Sequence, residues 1–216
     1  YMRGIDFYNI PTTVLSEVDS SIGGKTAIDF MGYKNIVGAF YPPMGVLIDP
    51  DTLQTLPKRQ ISNGLAEVVK MAMIGDSELF DILGHEDIAS NLDTIIERSL
   101  YIKKYVVEND EKEAGLRKTL NFGHTLAHAI ESANSMETYY HGECVGIGMI
   151  PMCSPNVRDR LISVLQKLDL PTETAYTAEE LLEACRHDKK ASGELITVVF
   201  VHEIGKAELQ TMPFAQ

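Results

Sequence analysis

Pro57 divides the chain into two kinds of sequence. After it, Ile61, Leu65, Val68, Val69, Ala72 and Met73 recur at the spacing that lines one face of a helix with apolar side chains. A proline suits the first helical position, because the N–H it lacks would have no partner there. The same period predicts helices over Ser77–Leu83, Leu92 to about Asp110, Thr119–Ala133, Gly142–Met152, Val157–Leu168 and Ala178–Lys189. Thr177 with Glu180 forms a capping box for the last of them. The β-rich runs Glu194–Val201 and Ala207–Met212, joined through Gly205, read as a hairpin. Before Pro57 only Ile5–Ile10 and Val46–Ile48 look like strands, too few for a sheet of their own. The expectation is a helical domain with a small hairpin, preceded by part of something else. The chain opens on Tyr1 inside what looks like a strand, so the reading is of a fragment whose upstream part is missing.

At 216 residues and 44% hydrophobic, the chain can bury a core without disulfide or metal staples, so a metal would serve function first. Nineteen Lys and Arg against 31 Asp and Glu leave a net charge of -12, and no basic run could follow a phosphodiester backbone, which excludes nucleic acid. Cys144, Cys153 and Cys185 lack any CxxC spacing and fit a reducing compartment, the cytoplasm by default. No apolar stretch approaches the roughly 20 residues of a membrane helix.

Ser21-Ile22-Gly23-Gly24-Lys25-Thr26 ends like a phosphate-binding loop, but Asp19 stands where that motif needs glycine. Alone it is a glycine pair beside Asp19 and Lys25, and Lys34-Asn35 is a solvated loop. Asn63, Glu67 and Lys70 share a helix face opposite the apolar stripe, where Glu67 and Lys70 could be no more than a surface ion pair. Asn121, His124, His128 and Glu131 form another stripe, and His141-Gly142-Glu143 follows. Three of the six histidines in so short a stretch make a catalytic zinc site the better reading than structural histidines. The residues leave open a three-histidine site or two histidines with Glu67. Lys70, Lys103, Arg117 and the Lys189-Lys190 pair suggest a small anionic substrate with carboxylate or phosphate, whereas Lys118 and Lys167 read as helix decoration. Glu113 and His128 could move protons.

In order, PTTVLSEVDSSIGGKTAID, YKNIVGAFYPP, LIDPDTLQTLP, NGLAEVVK, VVENDEKEAGLRKTLNFGHTLAHAIE and HGECVGIGM closely resemble the 3-dehydroquinate synthases. The resemblance implies a mainly α fold with minor β: a helical metal-binding domain with a C-terminal β-hairpin over residues 58–216, preceded at 1–57 by the end of an α/β NAD-binding domain. It also implies a cytoplasmic homodimeric lyase of the shikimate pathway, serving chorismate and aromatic amino acid biosynthesis. Such enzymes use catalytic NAD and zinc or cobalt to convert 3-deoxy-D-arabino-heptulosonate 7-phosphate to 3-dehydroquinate and phosphate.

Carried over by motif, Glu67, His124 and His141 resemble the metal ligands, and Lys70 the lysine beside them. Lys103 and Arg117 resemble the carboxylate grip, and Lys25, Asn35, Asn121, His128 and one of Lys189 and Lys190 the phosphate side. Asp19 and Glu113 match positions near the reacting carbons, giving Asp19, Lys25, Lys70, Glu113 and His128 as catalytic candidates. Thr12, Thr13, Lys25, Lys34, Thr52, Leu53, Gln54 and Thr55 resemble NAD contacts. Two departures stand out. Most of the dinucleotide-binding sheet and any glycine-rich fingerprint are absent, which implies that the chain alone is inactive. Pro151 to Pro155 also interrupts what should be a longer helix. The alternatives are another sugar-phosphate cyclase of the same superfamily, or a non-catalytic helical zinc module.

Overall fold

The computed structural model describes residues 4–31, 33–111, 113–134, 138–188 and 195–213, without the side chains of residues 29, 33–35, 134 and 185–188. The chain is mainly α with minor β. Two-residue strands β1 (Tyr8–Asn9) and β4 (Gly45–Val46) pair in parallel, and β2 (Lys25–Phe30) pairs antiparallel with β3 (Tyr33–Phe40). Helices α1 (Lys58–Gly75), α2 (Ser77–His85), α3 (Leu92–Asn109), α4 (His124–Asn134), α5 (His141–Met149), α6 (Pro155–Lys167) and α7 (Ala178–Asp188) follow. The hairpin β5 (Leu195–Glu203) and β6 (Lys206–Pro213) closes the described chain.

α1 runs through the centre of the molecule. It starts after Pro57, whose carbonyl accepts from the amides of Gln60 and Ile61. The helices α2, α3 and α5 pack around it together with β6 and a π-helical turn over Ser16–Ser20. Every residue from Asn63 to Ile74 is consequently buried. The face carrying Asn63, Glu67 and Lys70 was expected to oppose the core; it lies inside it, because α5 and the π-helical turn cover that side. Asp76 ends α1 and caps α2 by accepting from the amides of Glu78 (3.1 Å) and Leu79 (3.0 Å), and it also takes two hydrogen bonds from Arg98 of α3. A single carboxylate thus ties three helices together. The turn of the C-terminal hairpin docks on the end of α1, where Gly205 N–H donates to Met73 O (2.9 Å).

Four sequence expectations need correction. Residues before Pro57 do form a hairpin, so Lys25 opens a strand and Lys34-Asn35 lies on β3, not in a loop. Its apolar residues, among them Ile28, Phe30, Ile36 and Phe40, are exposed, so no buried alternation marked the strands. The helix expected from Thr119 to Ala133 is broken. A 3₁₀ segment spans Leu116–Asn121, Gly123 takes a left-handed φ of 77°, and α4 begins at His124. Asn121 therefore does not continue the stripe of His124 and His128. The helix expected from Gly142 to Met152 gives way after Met149 to a short 3₁₀ turn, Ile150–Met152, containing Pro151. Lys167 caps rather than decorates, donating from the end of α6 to Leu83 O (3.0 Å) and Glu86 O (2.6 Å).

Candidate metal and anion site

Three helices bring a carboxylate and two imidazoles together. Glu67 on α1, His124 at the start of α4 and His141 at the start of α5 offer one ligand atom each, all within 4.8 Å of one another. Each position has a local cause. Gly142 allows the beginning of α5 to lie on α1: its amide donates to Asn63 Oδ1 (2.6 Å), and a Cβ there would stand 1.9 Å from Asn63 O. Glu143 holds the same turn by accepting from Tyr140 N–H (2.8 Å) and from Arg59 Nε (2.7 Å), with the Arg59 guanidinium over the Tyr140 ring. At Gly148 a Cβ would meet Gly123 O at 2.2 Å, so this small residue lets α5 approach the start of α4 and sets His124 against His141.

Hydrogen bonds fix how the imidazoles present themselves. His124 Nδ1 lies 3.1 Å from Phe122 O, an acceptor, so this nitrogen carries the proton and Nε2 turns its lone pair toward Glu67 Oε1, 3.6 Å away. His141 does likewise: Nδ1 donates to Glu131 Oε1 (2.7 Å), and Nε2 lies 3.2 Å from Glu67 Oε1. Two lone pairs aimed at a carboxylate oxygen repel one another unless a cation sits between them. That donor set, with second partners orienting both rings, fits a divalent metal. Without one, a proton on His141 has to serve. Burial opposes that charge, but Glu131 and Glu67 outweigh burial and raise the His141 pKa to about 9. Burial and the Lys70 ammonium lower His124 to about 4. Burial alone would raise the Glu67 carboxyl, yet Lys70 and the histidines hold it well below the carboxylate range.

The remaining candidates surround this centre in pairs of opposite charge. Lys70 and Glu67 are ion-paired and fully buried. Lys103 of α3 donates to Asp19 Oδ1 (2.5 Å), and Lys25 pairs with Glu113. Glu113 also accepts from Asn121 Nδ2 (2.7 Å) and sits at a φ of 60°, unusual for a residue with a side chain. Burial pushes the Glu113 carboxyl up, and Lys25 and Asn121 more than reverse it, leaving it below the usual value. Arg117, 2% exposed, spends its fork on backbone carbonyls, Glu111 O (2.7 Å) and Gly23 O (3.0 Å). As it stands it is not open to a substrate carboxylate. His128 packs edge-on to His124, with ring centroids 5.6 Å apart, and is not one of the converging metal-type ligands.

On the N-terminal side, Thr13 Oγ1 accepts from Ser16 N–H (3.2 Å) at the start of the π-helical turn, and Thr12 is exposed. Thr52 donates to Glu17 (3.2 Å) and Gln54 to Asp51 (3.1 Å), while Thr55 is exposed. Leu53 belongs to the core, leaving only its backbone available to a cofactor. Lys189 and Lys190 lie outside the described residues, as do the side chains of Lys34 and Asn35. Glu131 is the functional residue that sequence reasoning undervalued. It was placed on the histidine stripe, but nothing in the sequence showed that it reaches His141. Among the described residues no helix is long and apolar enough to cross a membrane.

The architecture is that of cyclases solved with a metal and NAD+ bound. It superposes with a TM-score of 0.86 on ValA, the 2-epi-5-epi-valiolone synthase of Streptomyces hygroscopicus subsp. jinggangensis 5008 with NAD+ and Zn2+, at 29% identity over 97% of this chain and 63% of that one. A 2-deoxy-scyllo-inosose synthase complexed with carbaglucose-6-phosphate, NAD+ and Co2+ gives a TM-score of 0.84 at 25% identity over 100% of this chain and 66% of that one. Within that class the chain belongs to the 3-dehydroquinate synthase family: the family's N-terminal model matches residues 1–63 and its C-terminal model residues 64–191. It is 43% identical to the 3-dehydroquinate synthase of Enterococcus faecalis (strain ATCC 47077 / OG1RF), over 99% of this chain and 63% of that protein. With the one from Streptococcus thermophilus (strain ATCC BAA-491 / LMD-9) the identity is 42%, over 100% of this chain and 65% of that protein. The chain thus spans just under two thirds of these relatives' length.

Proposed function

We propose that this chain carries the metal- and substrate-binding part of a 3-dehydroquinate synthase, which turns 3-deoxy-D-arabino-heptulosonate 7-phosphate into 3-dehydroquinate and phosphate. The observation that supports it most is the convergence of Glu67, His124 and His141 on one point, with Lys70 buried beside them. In this reading residues 1–57 serve the cofactor side, through Thr12, Thr13, Lys25, Lys34 and Thr52–Thr55, and lend Lys25 and Asn35 to the substrate, while residues 58–216 hold zinc and the rest of the substrate.

A zinc or cobalt ion held by Glu67, His124 and His141 would supply Lewis-acid polarisation of a substrate hydroxyl, and NAD a hydride acceptor. The side chains do the rest. Lys70 is locked against Glu67 and lies in the field of Asp19, so both burial and two carboxylates act on it, and the carboxylates keep it a cation at the hydroxyl-binding point. Lys103 would take the substrate carboxylate in exchange for Asp19, with Arg117 joining once it leaves the Gly23 carbonyl. Lys25, Asn35, Asn121, His128 and one of Lys189 and Lys190 would hold the phosphate. An anion that draws Lys25 and Asn121 away from Glu113 removes the two contacts that keep this carboxyl acidic, making it a better base beside the reacting carbons. The 43% identity to dehydroquinate synthases, against 29% and 25% to the valiolone and inosose synthases, favours dehydroquinate over the sister products.

The test is phosphate release from the heptulosonate phosphate with NAD and zinc. It compares this chain with a chimera that adds the part of the Enterococcus faecalis enzyme that this chain does not cover. Release by the chimera, abolished by Glu67→Gln, is expected, with none from the chain alone. A chimera that folds and binds zinc but releases no phosphate refutes the assignment. If zinc removal instead unfolds the chain, the metal serves the fold, as in the non-catalytic alternative.

A further inference from the structure

We infer that Lys118 is the cation of a phosphate-binding cleft opening beside the candidate active site. The inference rests on the function proposed above and extends its anion site by a residue. The cleft, of about 430 Å³, lies between the 3₁₀ segment, the start of α4 and the C-terminal hairpin, and Lys118, Asn121, Thr125, Thr197 and Glu113 line it. Two of these, Asn121 and Glu113, are bonded to one another, and Glu113 is paired with Lys25. The cleft is therefore continuous with the candidate anion site. Val199 and Leu209 form its apolar wall.

What separates Lys118 from the neighbouring cations is that its charge is not spent. Lys25, Lys70 and Lys103 are ion-paired, and Arg117 is bonded to two carbonyls. The side chain of Lys118 makes no hydrogen bond or ion pair with any described residue, although the chain carries 31 acidic side chains against 19 basic ones. A half-buried lysine that lines a concave site and whose ammonium has no partner among the described residues is an incomplete coordination shell that an oxyanion completes. An anion arriving at Lys25 must compete with Glu113; at Lys118 it has no ion pair with a described residue to break. Two sources share this chemistry, the phosphoryl group of the substrate and the inorganic phosphate that leaves it.

The experiment titrates the full chain, loaded with zinc, with inorganic phosphate and separately with the heptulosonate phosphate, in native form and as Lys118→Met, Lys118→Arg, Lys25→Met and Lys58→Met. Lys58 is an exposed lysine at the start of α1 and controls for net charge. Lys118→Met is expected to weaken binding about tenfold, the scale of one charge-assisted hydrogen bond, with Lys118→Arg near native and Lys58→Met unchanged. Weakening toward both ligands assigns the cleft to the substrate's phosphoryl group, and weakening toward inorganic phosphate alone assigns it to the leaving group. If Lys118→Met binds both ligands as the native chain does while Lys25→Met is weakened, the Lys118 assignment falls and the proposed function stands. If no form, native included, binds either ligand, both fall.

Discussion

Replacing Glu131 by Gln tests whether the imidazole of His141 is tuned as a ligand. Glu131 is 5% exposed, and its Oε1 accepts from His141 Nδ1 at 2.7 Å, a bond assisted by the charge of the carboxylate. Gln keeps an acceptor of the same shape and removes the charge. Bonds to a charged group contribute about 1.5–3 kcal/mol and neutral ones about 1, so the ring loses on the order of 1–2 kcal/mol of support for donating from Nε2. At 1.4 kcal/mol per factor of ten this is a loss of about tenfold in zinc affinity, and Glu131→Ala, which also frees the ring to rotate, costs about a hundredfold. Competition against a chromophoric chelator at neutral pH measures both, with circular dichroism checking that α4 and α5 remain folded. The reasoning is refuted if both variants hold zinc as tightly as the native chain while Glu67→Gln and His141→Ala lose it. Stoichiometric zinc in those last two would refute the ligand set itself.

Other substitutions probe the scaffold that presents the site. Asp76→Ala removes the cap of α2 and the tie to Arg98, and should cost about 1–3 kcal/mol in urea unfolding, with Asp76→Asn, which keeps the cap, costing less. Burial would raise the Asp76 carboxyl, but Arg98 and the capping amides bring it below its usual value. A depressed carboxylate contributes stability that is complete above about pH 4 and fades as pH falls through its folded pKa. The native chain should therefore lose more stability than Asp76→Ala on acidification below pH 4, and parallel profiles would refute this. Gly148→Ala places a Cβ 2.2 Å from Gly123 O and should destabilise by about 1–3 kcal/mol while lowering zinc affinity, because the α4–α5 approach is what aligns the histidines. Arg117→Lys cannot span both Glu111 O and Gly23 O, so it should cost about 1–2 kcal/mol in unfolding by urea, and no change would show that the guanidinium is not a tie.

How much of this was legible in the sequence depended on whether local chemistry decided the outcome. Pro57 before α1 and Thr177 with Glu180 before α7 act within a few residues; Thr177 N–H and hydroxyl both bond to Glu180 (2.8 and 3.0 Å). The terminal hairpin likewise follows from a glycine turn at Gly205, φ 88°. The break before α4 was not legible, because apolar spacing continues through Leu120–Ala133 and is blind to the left-handed backbone of Gly123. Nor was the burial of Glu67 and Lys70: on α1 they look like a surface pair, and only the tertiary packing of α5 and the π-helical turn on that face puts them inside. The choice between a three-histidine site and two histidines with Glu67 was open for the same reason. His128 has the better sequence spacing to His124, but the Gly142–Asn63 contact delivers His141.

The ion pairs around the site also indicate the order in which it can exchange partners. In a chain of net charge -12 an incoming anion is repelled at long range, so capture depends on cations that can be released locally. The Lys25–Glu113 pair has side chains 48% and 24% exposed, and pairs of that kind are worth roughly 0–1 kcal/mol. An anion can replace Glu113 there at little cost. Lys103 and Asp19, at 9% and 20%, are less exposed, so their exchange needs an anion already held nearby. Lys70 and Glu67, at 2% and 0%, cannot part without leaving a buried charge, which costs several kcal/mol. Phosphate capture at the Lys25 side should thus precede carboxylate binding at Lys103, and Lys70 should stay in place throughout. Raising salt from low to physiological strength should therefore speed association, by screening that long-range repulsion, and leave dissociation nearly unchanged. Equal salt sensitivity of the two rates in stopped-flow measurements would refute the sequence of exchanges.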